Sequence, residues 1–173
     1  MTFLEWLNST PIPSLVLGSA WGFPIVELVH ILGMTLIIGG LVILDMRLLG
    51  MSRKSLPVKV LMEHILPWLT AGFIISLLSG LTFFASDASR YWANNAFRVK
   101  LVLLVFALIN FTVFYLRIYR NVSDWNISVR ASASARVSAV LSLLMLFSIL
   151  TAGRLIAYTH DLHSFSFLNV LME

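Results

Sequence analysis

The chain contains no cysteine. Disulfides, thiolate metal sites and iron–sulfur clusters are therefore excluded, and ligand chemistry falls to His, Met, Tyr and carboxylates. Charge is scarce too: 12% of the 173 residues are charged against 59% hydrophobic, and mean hydropathy is +0.92. A soluble domain of this size is not so apolar, so the composition specifies a membrane protein with the lipid bilayer as its solvent. No Lys or Arg precedes Arg47; a secretory leader begins with basic residues, so none is expected. The net charge of +4 forms no basic patch with interleaved aromatics, and nucleic acid is not expected as a partner. G-x-S-x-G, H-E-x-x-H, P-loop and Rossmann patterns are all missing, as are a 20 to 50 residue repeat and the paired broken helices of a transporter.

What the chain does have is long apolar runs. Four stretches, 24–45, 65–85, 97–116 and 137–158, are long enough for helices that cross a hydrocarbon layer, which takes about 20 residues each. They predict a single all-α domain over 1–173, an integral membrane four-helix bundle. Residues 1–20 carry Phe3, Leu4, Trp6 and Leu7 around Glu5 and then "NSTPIPS". That pattern predicts a short N-terminal interfacial helix followed by a loop. Arg47, Arg53, Lys54 and Lys59 lie between the first two spans, and Arg117, Arg120, Arg130 and Arg136 between the last two. Positive charge marks the cytoplasmic side, so both termini are expected in the periplasm of a bacterial inner membrane. Trp21, Trp68, Tyr91, Trp92 and Tyr158 fall near span ends, as an aromatic belt requires.

The spans also hold ionisable residues. Counting a rise of about 1.5 Å per residue from the basic ends puts His30 about 21 Å into a core about 30 Å thick, with Glu27, Lys100 and Arg154 at about 24–25 Å. Three helices thus contribute to one polar layer. Such residues are costly in hydrocarbon and usually face the bundle interior. Glu27 and His30, at i and i+3, are expected to share a face that meets Lys100 and Arg154, with Tyr158 stacking four residues beyond Arg154. Two cations facing one carboxylate leave a surplus positive charge that invites an anion.

A haem b is such a guest. Its iron takes a neutral imidazole and its propionates prefer basic partners near the interface. His30, with Gly33 and Met34 one turn on, suits an axial ligand; Lys100 and Arg154 suit the propionates, and Glu27 would orient His30 or balance charge. A second axial ligand would be His160, provided the fourth helix unwinds after Tyr158. Electron transfer or haem-linked redox chemistry follows, with a quinone or a redox protein as partner. Two alternatives stay open. The layer is a structural set of salt bridges in an accessory subunit, or His30 and the "HDLH" tail, with His160, Asp161 and His163, handle copper. His64 lies too far along the second helix to share His30's ligand, and mid-span Asn110 is expected to bond between helices. Glycines within the spans permit close helix approach and self-association into a homo-oligomer without requiring it.

The segments "FPIVELVHILGMTLIIGGLVILDMRLLG", "ILPWLTAGF…SGLTFF", "NNAFRVKLVLLVFALIN" and "AGRLIAY" resemble an uncharacterised bacterial family of four-helix inner-membrane proteins, over residues 21–158. The His-x-x-Gly pattern of the first span and "RVKLVLL" are more distantly similar to haem-containing protoporphyrinogen oxidases and copper-resistance D-type membrane proteins. In the former group that resemblance implies a haem or porphyrin site at the positions of His30 and Lys100. Where the uncharacterised family continues to a histidine after the position of Asn110, this chain has "NFTVFY" with Tyr115.

Overall fold

The computed structural model describes residues 2–51, 57–119 and 131–164, with residues 118 and 159–164 described as backbone alone. Every element among the described residues is helical. Helix α1 (Phe3–Asn8) opens with a capping box in which the Thr2 amide donates to Glu5 Oε2 at 2.8 Å and Thr2 Oγ1 accepts from the Glu5 amide. The expected loop after it is half helix: α2 (Ile12–Leu17) starts at the prolines, because Pro13 sits in the first turn, where a missing N–H costs nothing. Both short helices are tied to the bundle. Asn8 donates to Ser89 Oγ at 2.9 Å and accepts from the Ala88 amide at 3.1 Å, and Val16 is buried.

Four long helices follow: α3 (Gly22–Leu48), α4 (Val58–Ser86), α6 (Asn95–Val113) and α7 (Ala133–Ser164), with the short α5 (Ala88–Ala93) between α4 and α6. A π-helical turn over Phe114–Ile118 extends α6, and the spanning helix there is Asn95–Arg117. All four are long and apolar enough to cross a membrane. Their outward faces carry Leu28, Leu32, Val102, Val105, Phe106 and Phe147, all exposed. An apolar surface this extensive is tolerated when lipid covers it. The protein is a multi-pass helical membrane protein.

Helix α4 begins seven residues before the expected span. Val58, Leu61, Met62, Ile65 and Leu69 follow the i, i+3, i+4, i+7, i+11 spacing of one helical face, and all five are buried. A reading by hydropathy alone overlooks this stretch because Lys59, Glu63 and His64 occupy the opposite face. The main contacts run α4 to α3, α3 to α7 and α7 to α6. Helices α4 and α6 meet near α5, where Phe84 stacks on Phe97 at 5.5 Å with the rings 2° from parallel.

Burial concentrates at one end. Leu44, Leu48, Val58, Leu61, Met62, Phe114, Ala135 and Ala139 form a packed core where the basic residues cluster. Asp45 and Arg47 are buried there as well. The glycines of α3 and α4 close the packing: a Cβ on Gly72 would stand 2.7 Å from the Gly33 carbonyl oxygen, and one on Gly33 would stand 2.6 Å from Ser76 Oγ. A Cβ on Gly40 would meet Leu69 at 2.7 Å. Between α6 and α7, Asn110 donates to the Ser138 carbonyl and accepts from Ser138 Oγ, both at 3.1 Å, as its mid-span position leads one to expect.

Candidate functional site in the half of the bundle near α5

The polar residues of the spans do not behave alike. His30 on α3 is turned inward and half-buried. Its Nδ1 lies 2.8 Å from Ser79 Oγ, its Cε1 faces Gly80, and its ring makes a T-shaped contact with Phe83, the ring centres 5.8 Å apart and the planes at 80°. Lys100 on α6 is also half-buried and close enough to His30 for their charges to interact. Its ammonium lies against Gly153 of α7. Four helices therefore bring a histidine, a lysine and two glycines to one interior level, with α4 supplying Ser79, Gly80 and Phe83.

The two glycines differ from those at the crossing. A Cβ on Gly80 would stand 3.5 Å from His30 Cε1, and one on Gly153 would stand 3.6 Å from Lys100 Nζ. Both distances are ordinary van der Waals contacts, so each position has room for a methyl group against the nitrogen-bearing side chain and carries none. Gly33, expected beside the ligand, is instead taken up by the contact between α3 and α4.

Glu27 does not share the interior face with His30; it is exposed. Three residues turn a helix through about 300°, which leaves a 60° offset, enough to carry Glu27 to the rim. There its carboxylate acts on Tyr91, which packs on Phe97 at 5.5 Å. Burial raises the Tyr91 phenol above its usual pKa, opposed by Arg90 and reinforced by Asp87 and Glu27. Arg154 is exposed too, and its guanidinium lies 5.5 Å from the centre of the Tyr158 ring, the stacking expected from their i, i+4 spacing. Among the described residues, Glu27, Lys100 and Arg154 form no ion pair with one another.

Helix α7 continues as backbone through Ser164, so it does not unwind after Tyr158. The side chains of His160, Asp161 and His163 lie outside the described residues. Among the described residues no group of three His, Asp or Glu side chains is placed to hold a metal ion. His64 is exposed on α4 with its Nδ1 at 2.8 Å from the Val60 carbonyl, apart from the His30 site as expected.

The model of a family of unknown function, DUF6644, matches residues 5–159. The chain belongs to this family. The DUF6644 match takes in every polar-layer residue from Glu27 to Tyr158 and stops before His160. No curated protein and no solved structure matches the chain. Membership of DUF6644 assigns no activity, so function has to be argued from the site itself.

Ser79 and Phe83 were not legible as site residues in the sequence. A signal exists nonetheless. Gly72, Ser76, Ser79, Gly80 and Phe83 repeat at helical spacing through an otherwise aliphatic span, and they trace the face of α4 that turns inward.

Proposed function

We propose that the chain is a haem b-binding protein of the bacterial inner membrane, with both ends on the periplasmic side, serving electron transfer or haem-linked redox chemistry. The observation that carries this reading is the cradle: an inward histidine and an inward lysine, each beside a glycine whose missing side chain leaves room. A flat macrocycle with acidic edge groups is the guest such a cradle suits. When bound, haem supplies one-electron redox chemistry at its iron.

The chain's own residues divide the work. His30 offers a ring nitrogen to iron, held between Ser79, Gly80 and Phe83. Lys100 brings a positive charge to meet a propionate; an ionisable residue within a span is costly in lipid and is retained where it meets a counter-charge. Gly80 and Gly153 keep the walls flat. Arg154, stacked on Tyr158, and Glu27 stand on the rim, where they set the charge at the mouth rather than touch the centre of the site. A sixth ligand to iron is left unassigned among these residues.

The alternative of a structural salt-bridge layer has less to support it, since the pairs it needs are not made among the described residues. The copper reading joins His30 to the "HDLH" tail, and that tail lies beyond the family match. The deciding experiment is a reduced-minus-oxidised visible spectrum of the detergent-purified protein, with a pyridine haemochrome assay. A Soret peak, an α-band and near one haem per chain are expected, lost in His30→Ala and only weakened in Lys100→Ala. Full haem content in His30→Ala, or a colourless wild type from haem-supplemented cells, would overturn the proposal.

A further inference from the structure

Ser79 stands closer to His30 than any hydrogen-bonding group the sequence suggested. Its hydroxyl oxygen lies 2.8 Å from His30 Nδ1, 2.6 Å from the Ile75 carbonyl oxygen and 3.3 Å from the Ser76 carbonyl oxygen. A serine hydroxyl has one hydrogen to give and lone pairs to accept with. Two oxygens 2.6 Å apart with no hydrogen between them repel, so the Ser79 hydrogen is committed to Ile75, the usual back-bond of a helical serine to its i−4 carbonyl. Ser79 Oγ is then an acceptor toward the imidazole. His30 must supply the hydrogen from Nδ1.

We infer that Ser79 is a positioning residue: it holds neutral His30 as the Nδ1–H tautomer and leaves Nε2 as the unprotonated nitrogen. The Ser76 backbone on the same helix also hydrogen-bonds with the imidazole, and it too is an acceptor for a ring N–H turned toward α4. The ring cannot readily turn over to exchange its nitrogens. Phe83 packs against it in a T-shaped contact with the ring centres 5.8 Å apart, and Gly80 stands beside Cε1. A flipped ring would also place a carbon against Ser79 Oγ and forfeit the bond. The device is the general one by which a second hydrogen bond fixes which imidazole nitrogen is offered to a metal and raises its basicity.

The inference depends on the haem reading for its iron-side consequences, but the tautomer is a property of the chain without any ligand. The test therefore starts on full-length, ligand-free protein in nanodiscs, labelled with 15N-histidine. Long-range 1H–15N correlation spectra are recorded, and the His30 signals are identified by their loss in His30→Gln. The expected pattern is a protonated Nδ1 and an unprotonated Nε2 in the wild type. In Ser79→Ala it gives way to a mixture of tautomers or the Nε2–H form, and Ser79→Thr, which keeps the hydroxyl, restores it. In haem-loaded protein, Ser79→Ala should retain haem about tenfold more weakly and shift the midpoint potential upward, since the imidazole has become less basic.

A wild-type His30 that is doubly protonated or carries its hydrogen on Nε2 would overturn the inference. So would an unchanged pattern in Ser79→Ala. If Ser79→Ala does not fold, the wild-type pattern and Ser79→Thr still decide it. Colourless protein with the Nδ1–H pattern intact would remove the haem proposal and leave Ser79's role standing.

Discussion

The mid-span crossing of α3 and α4 and the level of His30 use the same few residue types to opposite ends. Mid-span, glycines let α3 and α4 touch backbone to backbone, while at the basic end Leu44, Leu48, Val58 and Met62 fill the core. Nearer α5, Gly80 and Gly153 each leave room for a methyl, and His30 and Lys100 stand beside it. Lipid is as apolar as leucine, so packing rather than water exclusion decides which helix faces meet. A glycine in a span therefore has no fixed meaning. Its role depends on whether the facing atom is 2.7 Å or 3.5 Å from the absent Cβ, a difference of less than one ångström.

That contrast can be probed by substitution in membrane-mimetic solution, reading thermal stability and haem content together. Met62 is fully buried in the basic-end core. Met62→Ala should cost about 2–5 kcal/mol through the cavity it leaves, and should lower the melting temperature more than any change near α5. Next comes Gly72→Ala. Its Cβ would be driven against the Gly33 carbonyl, backbone that cannot step aside without parting the helices, so a loss of about 1–3 kcal/mol is expected. Asn110→Ala removes a two-way bond to Ser138 and should cost about 1 kcal/mol, the range measured for interhelical bonds in membranes.

The smallest effect on stability belongs to the level of His30 and is the most informative. Gly80→Ala and Gly153→Ala each place a methyl at ordinary contact distance, so unfolding should shift by no more than about 0.5 kcal/mol. Haem content should nonetheless fall, because the methyls occupy the cradle. If Gly80→Ala destabilised the protein as much as Gly72→Ala, the two levels would be packed alike. If it left haem content unchanged, the open space would not be the binding space.

Composition and run length were sufficient for the class of the protein and for the existence of four spanning helices, because a bilayer demands about 20 apolar residues and self-satisfied backbone. The i, i+4 spacing placed Arg154 on Tyr158, and a polar amide in mid-span placed Asn110 in a bond between helices. Those are local rules, readable along one helix. Which way a residue turns once helices assemble is not local. The separation of Glu27 from His30, the closing of Gly33 and the opening of Gly80 and Gly153 each depend on the neighbour across the interface. So does the choice of Ser79 as partner for His30, 49 residues away in the chain. The sequence by itself determined an all-α membrane protein with ionisable groups at one depth. Only the tertiary structure decided which of those groups look inward, because helix crossings select among faces that are equally apolar along the chain and separable only by the shape of what packs against them.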